Sequence, residues 1–239
     1  MRPKNAVLIH GAGGGAWEYD LWQSSWTAAG WNVVAKDLQP GTNGLAQTTL
    51  TDYVRQVRTL IETGRERIVD GPFVLVGASM GGIIALQVVQ QTRPSAVVLV
   101  NSVAPRGVGL QRSQKPYPPV VKWANGPLAD TRDSMPDSGE ATIQKAWKRW
   151  RDESGMAMNA LRAGVVVQKP RCPVLVVLGD KDTDVPHTTG LALAKWANAD
   201  TLVYRGMSHV GPLLSTRAGE VARTVAAWCN ARTGTGNTS

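Results

Sequence analysis

The chain has 239 residues, of which 43 % are apolar and 18 % charged, and 26 Lys/Arg against 18 Asp/Glu leave a formal net charge of +8. That balance excludes a disordered polymer and a coiled coil, and the length suits one large domain or two small ones. The longest apolar runs, such as Ala96–Val100 and Pro173–Leu178, are too short to span a bilayer, and Cys172 and Cys229 form neither a disulfide scaffold nor a metal-ligand spacing.

From the N-terminus, Met1-Arg-Pro-Lys-Asn5 runs at once into Ala6–Ile9, an apolar run too short for a signal-peptide core, so a cytoplasmic protein is expected. Further short runs follow at Trp31–Ala35, Phe73–Val76, Ala96–Val100, Val174–Leu178 and Thr201–Tyr204. They are rich in Val, Leu and Ile with little polar alternation, as strands buried on both faces of a parallel sheet are. Between them the pattern predicts helices at about 16–29, 49–66, 80–92, 187–197 and 216–230, with Val88, Val89, Leu191, Leu193, Ala194 and Trp196 on core-facing stripes. Alternating strands and helices imply an α/β fold.

The segment from Arg106 to Lys169 breaks this rhythm, with no buried strand until a weak Val165–Val167. Its first half, rich in proline (Pro116, Pro118, Pro119, Pro127, Pro136), reads as loop, and Gly139–Ala163 as one or two helices. It is therefore expected as an insertion (106–169) into a core formed by 1–105 and 170–230. The polar tail 231–239 is expected to be frayed.

Gly11-Ala-Gly13-Gly-Gly-Ala16 follows a strand and opens a helix, and it has two readings. As G-x-G-x-x-A, with Asp37 at the end of the next strand, it matches a dinucleotide-binding loop. As His10-Gly11 followed by small residues and Trp17, it matches a loop that turns a backbone N–H toward a developing oxyanion. Gly77-Ala78-Ser79-Met80-Gly81 adds G-x-S-x-G between a strand and a helix, a tight turn that exposes a serine Oγ. A serine needs a base to accept its proton. Downstream, one strand ends in Gly179-Asp180-Lys181-Asp182-Thr183-Asp184 and the next leads to Gly206-Met207-Ser208-His209. The dinucleotide reading weakens further because a short-chain reductase needs Tyr-x-x-x-Lys. The residues four after Tyr19, Tyr53, Tyr117 and Tyr204 are Gln23, Val57, Val121 and Ser208.

These four motifs, in this order over residues 5 to 229, resemble the α/β-hydrolase superfamily, and His10–Trp17 resembles its compact members, the plant methyl-ester esterases and hydroxynitrile lyases. The resemblance implies an α/β-hydrolase fold of about six mainly parallel strands flanked by helices, with residues 106–169 as a helical lid. It implies Ser79 as nucleophile, His209 as general base then acid, and Asp182 as the residue orienting the imidazole. Asp180 and Asp184 share that turn, and the family's Gly-x-x-Asp spacing selects Asp182. The Ala12 and Met80 N–H groups would form the oxyanion hole, and Gly11, Trp17, Trp147 and Trp150 the substrate pocket. A carboxylic ester or thioester substrate is implied, with no cofactor and no metal. A hydroxynitrile lyase with a lysine at the site (Lys122, Lys145 or Lys148), a perhydrolase or cyclising enzyme, and a ligand receptor are the alternatives on the same framework.

Other residues have plainer readings. His10 is expected to fix its loop by hydrogen bonds, His187 to sit near a helix start, Trp22 and Trp26 to be core, and Asp37 to be a strand-end carboxylate. Ile143, Ala146, Trp147 and Trp150 fall on one helical face, with Lys145, Lys148, Arg149 and Arg151 mostly off it. That apolar face would either cover an acyl pocket or pack on the sheet's helices. Residues 106–169 hold 11 Lys/Arg against 6 Asp/Glu, so most of the positive excess lies in the insertion. Without a recognised nucleic-acid module, the charge points to a solvated face or to an anionic substrate at the pocket mouth.

Overall fold

The computed structural model describes residues 4–63, 68, 71–109 and 115–233. The end of the second expected helix (64–66), part of the insertion (110–114) and most of the expected frayed tail (234–239) lie outside the described residues.

The elements run β1 (Lys4–Ile9), α1 (Asp20–Ala28), β2 (Trp31–Ala35), α2 (Leu50–Thr63), β3 (Phe73–Ala78), α3 (Met80–Val88) and β4 (Ala96–Val100). The insertion follows, with β5 (Val120–Val121), α4 (Leu128–Ser134), α5 (Glu140–Trp147), β6 (Glu153–Ser154) and α6 (Gly155–Ala163). The chain closes with β7 (Val174–Gly179), α7 (His187–Ala197), β8 (Asp200–Tyr204), α8 (Gly211–Leu214) and α9 (Ala218–Thr233). Six strands form one sheet in the order β2-β1-β3-β4-β7-β8, and each neighbouring pair is parallel.

The apolar runs are continuous because both sheet faces are covered. On one face Val7, Ile9, Leu75, Val97, Leu99, Val176 and Leu178 pack with residues of α2, α3 and α7. On the other, Ala6, Leu8, Val74, Val76, Val98, Val100, Leu175 and Val177 pack with α1 and α9. The side-chain period of two thus loads both faces with aliphatic groups. Trp22 and Trp26 are fully buried on the second face and donate Nε1–H to Pro212 O (3.0 Å) and Ala222 O (2.9 Å), so they are core residues.

The strands and long helices lie within a few residues of their expected bounds. The insertion differs. Val165–Val167 is not a strand: Val165 and Val167 pack partly buried on the core while Val166 is 73 % exposed, an edge contact rather than a paired ladder. The proline-rich half is not all loop, since it holds α4 and β5, and β5 pairs antiparallel with β6. Two-residue strands and a seven-residue helix are too short to leave a periodic signal. Leu191 is also exposed rather than core-facing, because α7 turns that edge outward.

Candidate active site

In a parallel sheet all strands end on one side, and loops leaving those ends converge above it. Here β1 delivers His10–Gly15, β3 delivers Ser79, β7 delivers Asp182 and β8 leads to His209.

Ser79 sits in the turn between β3 and α3 with φ 51° and ψ −118°, a left-handed conformation that a serine adopts at a cost of about 1–3 kcal/mol. The surrounding contacts hold it there. Its N–H donates to Val100 O (3.0 Å), and its carbonyl accepts from Gly82 N (3.1 Å) and Val103 N (3.2 Å). Glycine is needed on both sides: a Cβ on Gly77 would lie 2.2 Å from Gly81 O, and one on Gly81 2.2 Å from Ile9 O. Met80 is the first residue of α3, so its N–H has no acceptor one turn back. The other loop passes close by, since a Cβ on Gly11 would lie 3.2 Å from Ser79 Cβ.

His209 Nδ1 lies 2.8 Å from Asp182 Oδ2, and Asp182 Oδ1 accepts from Asp184 N (2.9 Å) and Val185 N (2.8 Å). The buried carboxylate is therefore held by two backbone donors and presents its second oxygen to the imidazole. Burial alone would weaken the His209 cation. The hydrogen bond and charge of Asp182, with Asp184 and Glu18 beyond, outweigh it and raise the pKa above the ordinary imidazole value. Of the other two carboxylates on the turn, Asp180 accepts from Gly206 N (2.7 Å). The exposed Asp184 reaches only 4.0 Å from His209 Nε2.

Several residues tie these loops together and leave no readable sequence signal. Asn101, at φ 41° just past β4, donates from Nδ2 to His209 O (2.7 Å) and Ser208 O (3.2 Å), while its Oδ1 accepts from Gly179 N (2.8 Å). Asp137, from the insertion, accepts from Ser208 Oγ (2.7 Å) and Ser208 N (3.0 Å). Glu153 accepts from Gly13 N (3.0 Å) and from Tyr53 OH (2.6 Å). The carboxylate beside the phenol contributes, after burial, to raising the Tyr53 pKa. Arg151 donates from Nε to Gly14 O (2.7 Å) and from Nη1 to Leu38 O (3.2 Å). Only the position of Asn101 directly after a strand could have marked it.

His10 behaves as expected. Its Nε2 accepts from Leu38 N (2.9 Å), which leaves Nδ1–H to donate to Gly11 O (2.7 Å). Burial lowers its pKa to about 4, so it is a neutral brace for the loop. His187 begins α7 with its Nδ1 buried and unbonded. The loop's amides are already occupied: Gly13 N by Glu153, Gly15 N by Glu18 (3.3 Å) and Ala16 N by Asp37 (2.7 Å). A dinucleotide site would need those N–H groups for pyrophosphate, so three carboxylates there oppose that reading.

Ser79, Met80, Gly11, Ala12 and His209 line one cavity of about 780 Å³ together with Trp150 and Glu18. Two expected pocket residues stand outside its lining. Trp17 packs edge-on against Trp150 (5.1 Å between ring centres), and Trp147 donates Nε1–H to Gly126 O (2.7 Å), so both support the wall from behind. Trp123, which the sequence did not single out, lines the cavity instead. Ile143 and Ala146 are buried among the core residues of the second sheet face, so the apolar face of α5 packs on the protein body. Most basic residues of the insertion point elsewhere: Lys145 pairs with Asp20 and Arg132 with Glu140. Lys122 and Arg162 reach the cavity, beside Asp130 and Asp184. Among the described residues no cluster of three or more His, Cys, Asp or Glu could hold a metal ion, and no helix is long and apolar enough to cross a membrane.

Residues 6–224 match the family model for the alpha/beta hydrolase family. The chain belongs to this family. Phospholipase YtpA of Bacillus subtilis is 36 % identical, over 80 % of this chain and 80 % of that protein. Among solved structures, a pyrethroid hydrolase from Sphingobium faniae JZ-2 superposes with a TM-score of 0.74, at 19 % identity over 95 % of this chain and 98 % of its own. The methylesterase MES16 from Arabidopsis gives 0.73, at 18 % identity over 94 % and 98 %. This alpha/beta hydrolase thus shares its fold with both, and hydrolase activity in general follows from the family and the phospholipase relative.

Proposed function

We propose that the protein cleaves a carboxylic ester or thioester by nucleophilic catalysis at Ser79. The single observation that carries the reading is the His209–Asp182 pair, bonded at 2.8 Å and opening into the cavity that Ser79 lines from its strained turn. Asp182 accepts a hydrogen bond from Nδ1–H and so leaves Nε2 as the base. Ser79 Oγ attacks the carbonyl carbon while Nε2 takes its proton, and the oxyanion is held by the N–H groups of Ala12 and Met80. The imidazolium then protonates the leaving oxygen or sulfur, and an acyl-enzyme remains. Water repeats the sequence with His209 as base and releases the acid. In this reading residues 106–169 are the lid over the core 1–105 and 170–230, with Trp123 and Trp150 facing the acyl group. A cytoplasmic setting belongs to the same proposal, and the unpaired Cys172 and Cys229 fit a reducing compartment.

The lyase alternative has less support. Of its candidate lysines only Lys122 lines the cavity, and its ammonium is bound to Asp152 at 2.7 Å. The test is turnover of short p-nitrophenyl esters by Ser79→Ala, expected to fall by a factor on the order of 10⁴ or more. A fluorophosphonate should add its mass to the wild type and not to the variant. A variant that retains the wild-type rate overturns the reading.

A further inference from the structure

Glu18 is the buried titratable group in this cavity to which acyl transfer by Ser79 assigns no task. It lies in the short 3-10 turn Ala16–Tyr19, is 4 % exposed, and lines the same cavity as Ser79 and His209. Its Oε2 accepts a long hydrogen bond from Gly15 N at 3.3 Å, and the Gly11 backbone N–H is a weaker donor to the same carboxyl. Among the described residues it has no ion pair within contact distance.

The glycine run makes room for it. A Cβ on Gly14 would stand 2.0 Å from Glu18 Oε2, so this position must be glycine for the carboxyl to occupy the space beside the oxyanion loop. The charged groups around it come from several elements. His209 faces it from the loop after β8, and Arg151 from the insertion. The Arg151 guanidinium is already committed to Gly14 O, Leu38 O and His10 Nε2. Tyr19, next in sequence, donates its OH to Ile9 O. Asp37 holds Ala16 N on the far side of the loop, and Asp182 and Asp184 face His209.

We propose that Glu18 is a second, substrate-facing acid of this site: protonated, it donates a hydrogen bond to the substrate oxygen as that oxygen takes up charge, and ionised it opposes that charge. The proposal rests on the acyl-transfer reading above. No covalent step is added, and the proton stays on Glu18 throughout. Burial raises the Glu18 pKa to about 7, against the pull of Gly15 N and His209, so both forms exist near neutral pH. The working form has Glu18 protonated and the His209 imidazole neutral.

The experiment is the pH dependence of kcat/KM for p-nitrophenyl acetate with wild type, Glu18→Gln, Glu18→Leu and Ser79→Ala. Wild type should give a bell, rising as His209 loses its proton and falling as Glu18 loses its own. Glu18→Gln cannot ionise and its amide can still donate. It should lose the alkaline limb and keep the acid limb, because on the acid side His209 has a neutral neighbour in both proteins. Glu18→Leu should also lack the alkaline limb and drop in kcat on the order of 100-fold, the usual effect of removing one donor from such a site. Difference infrared spectra should carry a carboxylic-acid band that disappears in Glu18→Gln. That readout requires neither turnover nor the leucine variant to fold. A wild-type profile without an alkaline limb, an unchanged alkaline limb in Glu18→Gln, or an infrared band that survives the substitution overturns the proposal. If Ser79→Ala is inactive while Glu18→Gln behaves as wild type, Glu18 alone is misassigned. If Ser79→Ala retains its rate, the reaction itself is misassigned.

Discussion

On the proposed reading of residues 106–169 as a lid, the cavity has a floor and a roof, and the two are built on different physical terms. The floor is the edge of a six-stranded sheet, where each proposed catalytic side chain follows a strand end by a few residues and main-chain bonds fix its direction. The roof is made of short helices and a two-residue ribbon with few ladder bonds of their own. It is held by long-range polar contacts: Glu153 and Arg151 grip the loop at Gly13–Gly14, and Asp137 grips Ser208 beside His209. The difference teaches that the roof positions the same two loops to which the proposed chemistry is assigned. Covering the pocket and aligning it are one task.

The largest effect tests the floor. Asp182→Asn keeps the shape but presents an amide to Nδ1, which favours the wrong imidazole tautomer, and kcat should fall on the order of 10⁴-fold. A loss below tenfold in ester hydrolysis would move the orienting role elsewhere on the turn. Next comes pH: because the His209 pKa is raised, kcat/KM should fall about tenfold per unit below a midpoint that lies above the ordinary imidazole value. An acid midpoint below that value would mean that burial, and not Asp182, dominates.

The roof contacts should give intermediate effects. Asp137→Ala leaves Ser208 N and Oγ unsatisfied, which should cost about 1–3 kcal/mol in urea unfolding and lower kcat as the His209 loop loosens. Glu153→Ala should cost a similar amount, about 1–3 kcal/mol, since it strips a partner from both Gly13 N and Tyr53 OH. Either variant unfolding normally with unchanged kcat would show that the floor aligns itself. The smallest effect is electrostatic. The Lys122–Asp152 pair is exposed on the lysine side, so Lys122→Ala should change stability by less than about 1 kcal/mol. It should shift the preference for a carboxylated over a neutral ester about threefold at most, a difference that fades as salt rises. A salt-independent preference would exclude steering by the roof's positive charge.

The sequence by itself determined the sheet, because strands buried on both faces need continuous aliphatic runs, and the short run Val165–Val167 resembled them only weakly. It also singled out Ser79, because a turn this tight after a strand needs glycines such as Gly77 and Gly81 where backbones approach closely, whereas Asp182 and His209 were implied only by the resemblance to the family. Tertiary structure alone decided the rest. Which tryptophans face the cavity depends on how α5 settles against the core: Trp123 and Trp150 line it, while Trp17 and Trp147 stand behind. Glu18, Glu153, Asp137 and Arg151 read in the sequence as ordinary surface charges. Their roles arise from contacts such as Glu153 to Gly13, 140 residues apart in the chain, and a charged side chain carries no periodic mark of the distant amide it will meet.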